Sequence, residues 1–266
     1  MIAVLPRQGR TAFLVVGGPT VVIDVAGTRF VVDPTFDAPG DYGALHKTAG
    51  PTVPAEAVAD VNVVLVSHAD HADNLDRSGR DVALAAPRLI TNPGSAAQLG
   101  GRAEGLAPWA SAEVGDGVTV TAVPAQHGPA DGQRDAAGHV NCEVTGFVIE
   151  ARARATDGAE RIYLSGDNAS VALVQDIRER CGPFTRAVLN AGRATVPAKF
   201  DGRPLSLSAE RASAAALVLG APHVVVAHQT GWEHFVDGPG MTIRAFRDAG
   251  VLDLLDRTPE GQWTRR

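Results

Sequence analysis

The sequence is poor in cysteine and carries no excess of basic residues. Its two cysteines, Cys142 and Cys181, do not form a Cys-x-x-Cys pair, which argues against a disulfide scaffold and against a zinc ribbon. We therefore expect them to be small buried hydrophobic residues or inert surface thiols. The 24 Lys and Arg residues are outnumbered by 30 Asp and Glu residues, which gives a net charge of −6. This balance lacks the basic surface of a nucleic-acid-binding protein, and no nucleic-acid partner is expected.

Long apolar runs and secretion signals are also missing. Charged or turn residues interrupt every apolar run before it reaches the length of a membrane span. Residues 1–10 lack the basic-then-apolar pattern of a signal peptide. These absences predict a cytoplasmic protein with no membrane partner, and they leave open whether the chain forms an oligomer. The high content of Ala, Gly and Arg favours a bacterial source with a GC-rich genome.

The most informative segment that is present is residues 67–76, Ser-His-Ala-Asp-His-Ala-Asp-Asn-Leu-Asp. It directly follows the apolar run 61–66, which is typical of a buried strand. Imidazole and carboxylate groups are the ligands that suit zinc, iron and manganese. A strand that ends in such a cluster predicts a metal site at the edge of a sheet. The alternative is a solvated polar turn that holds two histidines by coincidence.

Three further potential ligands have the same local context. His127, Asp167 and His228 each come one to four residues after a short run rich in β-branched residues. Histidines placed by chance would not follow strand ends in this way. Functional residues on loops at one edge of a rigid sheet are a common way to build a site. The pattern therefore predicts that these side chains meet the cluster of residues 67–76.

The order of these motifs resembles the metallo-β-lactamase superfamily of metal-dependent hydrolases, and more narrowly the branch of L-ascorbate-6-phosphate lactonase. The motifs that carry the resemblance are Asp33-Pro34 after a hairpin, His127-Gly128-Pro129, Ser165-Gly166-Asp167, and His-Gln-Thr-Gly-Trp-Glu-His-Phe at 228–235. The resemblance implies a single domain over residues 1–266 with an α/β (α+β) fold, a four-layer αββα sandwich. Periodicity alone predicts only a mixture of helices and strands.

The central motif departs from the superfamily pattern His-x-His-x-Asp-His. Read without a gap from His68, the chain has Asp70 in place of the second histidine. If one extra residue is allowed, His71 and Asp73 match the pattern and Asn74 replaces its last histidine. We prefer the gapped alignment because it keeps His71 and Asp73. Asp70 remains an alternative ligand, and its oxygen would favour manganese or iron over zinc.

The resemblance implies one or two divalent ions per chain, with Zn2+ expected first and Mn2+ or Fe2+ as alternatives. The implied metal ligands are His68, His71, Asp73, His127, Asp167 and His228. We expect the three residues His68, His71 and His127 to hold the stronger ion and the other three to hold a weaker one. Asp73 is also a candidate catalytic group that orients or deprotonates water. His234 is expected to support a ligand or face the substrate.

A metal ion held by imidazoles lowers the pKa of a bound water molecule to near neutrality and polarises the substrate. The sequence therefore predicts a metal-dependent hydrolase of a small ester, lactone or phosphoester. One alternative is an iron-dependent redox enzyme on the same fold. Another is a non-catalytic metal-binding member with a degraded site, because Asp70 and Asn74 depart from the pattern. No Ser-x-x-Lys, Gly-x-Ser-x-Gly, Walker or dinucleotide motif competes with these hypotheses.

Local patterns also predict individual elements. Residues 20–33 favour a hairpin that turns at Ala26-Gly27-Thr28, and the Gly- and Pro-rich residues 37–55 favour a long loop near the site. We expect helices over 92–99, 168–180, 208–219 and 241–249. The histidines His46, His139 and His223 are expected to lie outside the metal site.

Overall fold

Two six-stranded β-sheets form the centre of the protein, whose computed structural model describes residues 3–153 and 158–265. In chain order the strands are β1 (Ala12–Gly17), β2 (Thr20–Val25), β3 (Thr28–Val32), β4 (Gly40–Tyr42), β5 (Leu45–Lys47), β6 (Val63–Leu65), β7 (Arg88–Thr91), β8 (Ala103–Gly105), β9 (Ser111–Gly115), β10 (Val118–Pro124), β11 (Thr145–Ala151), β12 (Glu160–Leu164), β13 (Arg186–Asn190) and β14 (His223–Ala227). The helices are α1 (Arg77–Ala85), α2 (Pro93–Leu99), α3 (Val171–Cys181), α4 (Ala209–Leu219) and α5 (Pro239–Asp248).

The two sheets have related topologies. The first sheet has the strand order β1-β2-β3-β6-β7-β8, and the second has β14-β13-β12-β11-β10-β9. In the first sheet β3, β6, β7 and β8 are parallel. In the second sheet β10 and β12 each pair antiparallel to β11, and β12, β13 and β14 are parallel. Strands β10, β12, β13 and β14 therefore run in the same direction, and their carboxyl ends lie at one edge of the second sheet.

The sheets pack face to face, and helices cover their outer faces. The core between the sheets includes Phe13 from the first sheet and Phe147 from the second. Ala83 of α1 packs on the outer face of the first sheet. Val174 of α3 and Phe246 of α5 pack on the outer face of the second sheet. This arrangement is the αββα sandwich that the resemblance implies, and the central strands are rich in Val, Ile and Leu because both of their faces are covered.

Helix boundaries follow the capping signals in the sequence. The side chain of Asn92 accepts a hydrogen bond from the Ser95 amide at 2.7 Å and begins α2. Ser208 accepts one from the Arg211 amide at the start of α4, and Gly220 ends that helix with a φ of 62°. These caps satisfy backbone groups that the helix itself leaves unpaired. The predicted positions of α2 and α4 are confirmed.

Two elements differ from the expectation. The predicted loop 37–55 contains the short antiparallel hairpin β4–β5, and α1 was not predicted at all. Within the described residues, no helix combines the length and the apolar character that a membrane span requires.

Candidate metal centre

The predicted ligands come together where the carboxyl ends of strands from both sheets meet. His68 follows β6 of the first sheet, and His127, Asp167 and His228 follow β10, β12 and β14 of the second. A backbone hydrogen bond of 3.0 Å from the Thr145 amide to the Ser67 carbonyl joins the two sheets beside these residues. The strand-end pattern in the sequence therefore corresponds to one location in space.

One group of side chains, which we call the histidine cluster, contains His68, His71, His127 and Cys142. Each offers a potential ligand atom, and these atoms all lie within 4.8 Å of one another. His68 Nε2 lies 3.0 Å from His71 Nδ1. The Nδ1 atom of His127 donates to the Leu205 carbonyl at 2.8 Å. This bond fixes the ring and leaves Nε2 with its lone pair, as is usual for a histidine that binds a metal.

A second group, which we call the carboxylate cluster, contains Asp73, Asp167 and His228, and its potential ligand atoms also lie within 4.8 Å of one another. His228 Nε2 is 3.3 Å from Asp167 Oδ1 and 3.5 Å from Asp73 Oδ2. The other oxygen of Asp167 is 4.0 Å from His127 Nε2. Asp167 thus lies between the two clusters, where a bridging carboxylate would be needed.

Close backbone packing holds two of these ligands in place. A Cβ atom on Gly166, which precedes Asp167, would lie 2.6 Å from the Thr145 carbonyl oxygen. A Cβ atom on Gly192 would lie 1.8 Å from the His228 carbonyl oxygen. Real Cβ atoms do not approach so closely, so both positions require glycine. His228 itself has a φ of 63°, and such uncommon backbone geometry concentrates at functional sites.

Polar residues behind the clusters fix the orientation of the potential ligands. Asp33 Oδ1 accepts a hydrogen bond from the Ser67 amide at 2.6 Å, directly before His68. Asn190 Nδ2 donates to Asp167 Oδ1 at 3.0 Å. Asn74, which replaces the last histidine of the superfamily pattern, is fully buried and lies 3.4 Å from the same Asp167 oxygen. Its amide therefore contacts a potential ligand of the carboxylate cluster.

The electrostatics of the site favour a cation. Burial, together with the neighbouring His71 and His127, holds the pKa of His68 well below its usual value. Burial likewise lowers the pKa of His127. Burial alone would raise the pKa of Asp73, but the neighbouring imidazoles of His228 and His234 outweigh it and keep that pKa well below its usual value. Burial would lower the pKa of His228, but the carboxylates of Asp167 and Asp73 instead raise that pKa above its usual value. The histidine cluster therefore favours neutral imidazoles and Asp73 is ionised, and these are the forms that bind metals.

Several buried polar atoms of the site have no hydrogen-bond partner among the described residues. They include His127 Nε2, His228 Nε2, Asp73 Oδ1, Asp167 Oδ2 and Asn74 Oδ1. Burying such atoms without a hydrogen-bond partner costs free energy. Several of them in one place therefore indicate that a further group binds there. Lone pairs on imidazole and carboxylate atoms that converge in this way fit one or two divalent metal ions.

A cavity of about 220 Å³ opens onto both clusters. The part of its wall beside the clusters includes His71, Asp73, His127 and His234, and the remainder is mostly apolar, with Lys199 as its cationic group. His234 Nε2 lies 2.9 Å from Asp73 Oδ2. His234 thus contacts a potential metal ligand and the cavity at the same time.

The structure distinguishes between the two alignments of the central motif. His71 lies in the histidine cluster, whereas Asp70 lines the cavity and belongs to neither cluster. The gapped alignment is therefore the one that the geometry favours. Cys142 is the residue that sequence reasoning missed, because an inert thiol was expected and its sulfur lies among the histidines. Its one signal was a position just before a strand, β11, that starts at the edge where the other ligands meet.

The remaining polar residues lie outside the clusters. Arg193 pairs with Asp237 at 3.0 Å. His46 is exposed and lies 2.6 Å from Asp41. His223 is buried and lies 2.7 Å from Asp256, so it has a structural partner.

Comparisons with known proteins agree with this geometry. A family model described as "Beta-lactamase superfamily domain" matches residues 28–229. N-acyl-phosphatidylethanolamine-hydrolyzing phospholipase D 1 from Caenorhabditis elegans is 27% identical over 198 residues, which cover 66% of this chain and 52% of that protein. The chain thus spans about half the length of this curated relative.

Solved structures with the same fold include enzymes of different kinds. Isothiocyanate hydrolase from Delia radicum gut bacteria has a TM-score of 0.77 and 19% identity, with 95% of this chain and 97% of that chain covered. CmlA, a diiron β-hydroxylase from Streptomyces venezuelae, has a TM-score of 0.62 and 16% identity, with 93% of this chain and 51% of that chain covered. At these identities the likeness concerns the fold.

Proposed function

The chain belongs to the metallo-β-lactamase superfamily of metal-dependent hydrolases, and on that premise we propose that it hydrolyses a small ester, lactone or phosphoester with metal-activated water. The observation that carries the proposal is the pair of adjacent clusters. Three imidazoles converge in one of them, and two carboxylates and an imidazole converge in the other. Zn2+ suits the nitrogen-rich histidine cluster best, because imidazole is among its preferred ligands.

The proposed ligands divide between two ions. His68, His71 and His127 would hold the first ion, and Asp73, Asp167 and His228 would hold the second. When bound, such ions supply a water molecule that is acidic near neutral pH and positive charge that stabilises the developing negative charge on the substrate. Asp167 lies 3.3 Å from His228 and 4.0 Å from His127, which supports a bridging role.

Asp73 and His234 are the proposed groups for proton transfer. Asp73 would orient the attacking water and receive its proton. His234 Nε2 lies 2.9 Å from Asp73 Oδ2, so an imidazole whose Nδ1 carries the hydrogen can accept that proton at Nε2. Because His234 also lines the cavity, it can deliver a proton to the leaving oxygen of the substrate. The water oxygen forms the new bond to the carbonyl carbon or the phosphorus, the C–O or P–O bond to the leaving oxygen breaks, and that oxygen takes the proton from His234 to become an alcohol.

The cavity limits the size and the polarity of the substrate. Its volume of about 220 Å³ suits a small molecule, and Leu45, Val196 and Leu205 give it an apolar wall. Lys199 offers one positive charge to an anionic group such as a phosphate. The name of the Caenorhabditis elegans relative supports a phosphodiester as one member of the substrate panel.

A metal-dependent activity screen tests the proposal. The protein is stripped with a chelator, reloaded with Zn2+, and assayed on nitrophenyl esters, small lactones and a nitrophenyl phosphodiester. We expect hydrolysis of at least one class, its loss on chelation and its return with Zn2+. Metal-loaded protein that hydrolyses no member of the panel would instead favour the non-catalytic alternative.

Iron-dependent redox chemistry is the second candidate, and a specific observation favours it. Two carboxylates in one cluster suit harder ions such as Fe2+, and the fold also occurs in a diiron hydroxylase. Metal analysis of protein purified without added metal separates the two functions. Iron as the main metal together with oxygen consumption would support redox chemistry, whereas zinc without oxygen consumption would support hydrolysis.

A further inference from the structure

We propose that Cys142 is the fourth protein ligand of the histidine cluster, so that its ion is held by three imidazoles and one thiolate. The proposal rests on the proposed function only in assuming that a metal binds here. Its first support is position, because Cys142 contributes a potential ligand atom within 4.8 Å of those of His68, His71 and His127. Cys142 lies three residues before β11, whose first residue Thr145 pairs with Pro124 at the end of β10.

The segment that carries Cys142 is held against the segment that carries His68. Asn92 Nδ2 donates to the Ser67 carbonyl at 3.0 Å and to the Glu143 carbonyl at 3.2 Å. The same amide group therefore ties the residue before His68 to the residue after Cys142. The carboxylate of Glu143 also accepts a hydrogen bond from the Gly94 amide at 2.9 Å. The backbone after Cys142 is thus fixed relative to the histidines.

The residue before Cys142 is held as well. Lys199 Nζ donates to Asn141 Oδ1 at 2.8 Å. Anchors on both neighbours of a cysteine limit where its sulfur can lie, and supporting contacts of this kind are characteristic of built metal sites.

The second, independent support is the unpaired nitrogen of His127. This residue is 97% buried, since its exposed fraction is 3%. Its Nδ1 atom is committed to the Leu205 carbonyl, and its Nε2 atom has no hydrogen-bond partner in the part of the chain that the structure describes. A cation among the histidines and Cys142 would pair with this nitrogen. Among the described residues, no protein group pairs with it.

A thiolate changes which metal the cluster prefers. Sulfur ligands favour zinc and other soft ions over manganese, and imidazole and thiolate are both ligands that Zn2+ prefers. On binding, the thiol of Cys142 loses its proton to solvent and its sulfur forms the bond to the ion, with no change of oxidation state. The coordination position for water would then be supplied at the carboxylate cluster.

Cobalt substitution tests this ligation directly. Protein loaded with Co2+ should show the near-ultraviolet absorption of a thiolate–Co2+ bond. We expect this absorption to disappear in Cys142→Ser and to persist in Cys181→Ser, the matched control on α3. Cys142→Ser should also weaken Zn2+ binding at the histidine cluster by about tenfold or more. An unchanged absorption in Cys142→Ser, or none in wild-type protein that has bound Co2+, would overturn the proposal.

Alkylation of the wild-type protein provides a test that needs no variant. Iodoacetamide labelling read by mass spectrometry should modify Cys142 more slowly in the zinc-loaded protein than in the stripped protein, while the rate at Cys181 stays the same. Equal rates at Cys142 in both states would count against ligation. The activity screen is scored separately, so thiolate absorption without hydrolysis would reject only the proposed function, and hydrolysis without it would reject only the role of Cys142.

Discussion

Single residues of the site are fixed by bonds to their non-ligating atoms, and His127 is the clearest case. Its Nδ1 atom is held by the Leu205 carbonyl, so its contribution to metal binding should come from Nε2 alone. We predict that His127→Ala weakens metal binding at the histidine cluster by about tenfold or more and leaves the fold intact, because the residue lies on a loop. Metal analysis after dialysis, with circular dichroism of the same samples, measures both effects.

The matched control for this variant is His46→Ala, because His46 is exposed and lies outside both clusters. It should leave metal content unchanged. If His127→Ala retains the metal content of the wild type, His127 is not a ligand.

His234 should affect chemistry without affecting metal binding. It contacts Asp73 and the cavity but belongs to neither cluster. We predict that His234→Ala lowers kcat by about a hundredfold, the usual size of a lost proton-transfer group, with a smaller effect on KM. His234→Gln should lower kcat equally, because an amide can donate a hydrogen bond to Asp73 but cannot accept and release the proton.

Metal analysis of the His234 variants decides between two roles. Unchanged metal content with low kcat supports proton transfer. A parallel loss of metal and activity would mean that His234 acts through the position of Asp73.

At the scale of elements, the strand ends were predictable and the segments between them were not. The potential ligands after β6, β10, β12 and β14 could be found because a β-branched run followed by a polar residue is a local signal. Cys142 precedes its strand, and its neighbours in space depend on β11 running antiparallel to β10. That pairing joins residues that are distant in the sequence, and no local pattern around Cys142 indicates it. The sequence alone therefore predicted an inert thiol.

Helix α1 was missed for a related reason. Gly79 lies in its first turn, where glycine disfavours a helix. In the structure a Cβ atom at this position would lie 1.7 Å from the Pro34 carbonyl oxygen. Helix α1 packs closely on the backbone after β3, and this packing requires glycine at position 79. The hairpin β4–β5 was missed because its Gly-rich sequence is typical of a loop, yet Lys47 is buried and lies 3.0 Å from Asp76.

Asp76 links helix α1 to the hairpin β4–β5, and its replacement should lower the stability of the fold. Its carboxylate accepts hydrogen bonds from the amides of Phe36, Asp37 and Gly79 and pairs with Lys47. We predict that Asp76→Asn lowers the free energy of unfolding by about 3 kcal/mol, because it leaves the buried Lys47 ammonium without its counter-charge. Urea denaturation measures the change.

Asp81→Asn is the control for this prediction, since Asp81 is an exposed residue of the same helix. It should change the free energy of unfolding by less than about 0.5 kcal/mol. Equal effects of the two substitutions would show that the Asp76–Lys47 pair contributes little.

At the scale of the whole molecule, the site lies where the two sheets meet. The first sheet contributes His68, His71 and Asp73, and the second contributes His127, Asp167 and His228. Each cluster takes ligands from both sheets, so neither sheet could form a metal site alone. Sequence periodicity predicted strands and helices, but only the resemblance predicted how two sheets pack, because sheet packing is set by contacts between distant residues.

We propose that two metal ions lie side by side in this chain, and anomalous diffraction from crystals grown with Zn2+ tests this proposal most directly. We predict two peaks in a difference map from data collected at the zinc absorption edge. One should lie about 2.0–2.3 Å from ligand atoms of His68, His71 and His127, and the other at similar distances from Asp73, Asp167 and His228. A single peak at these residues would contradict a two-metal site, and a map without a peak there would contradict the metal centre itself.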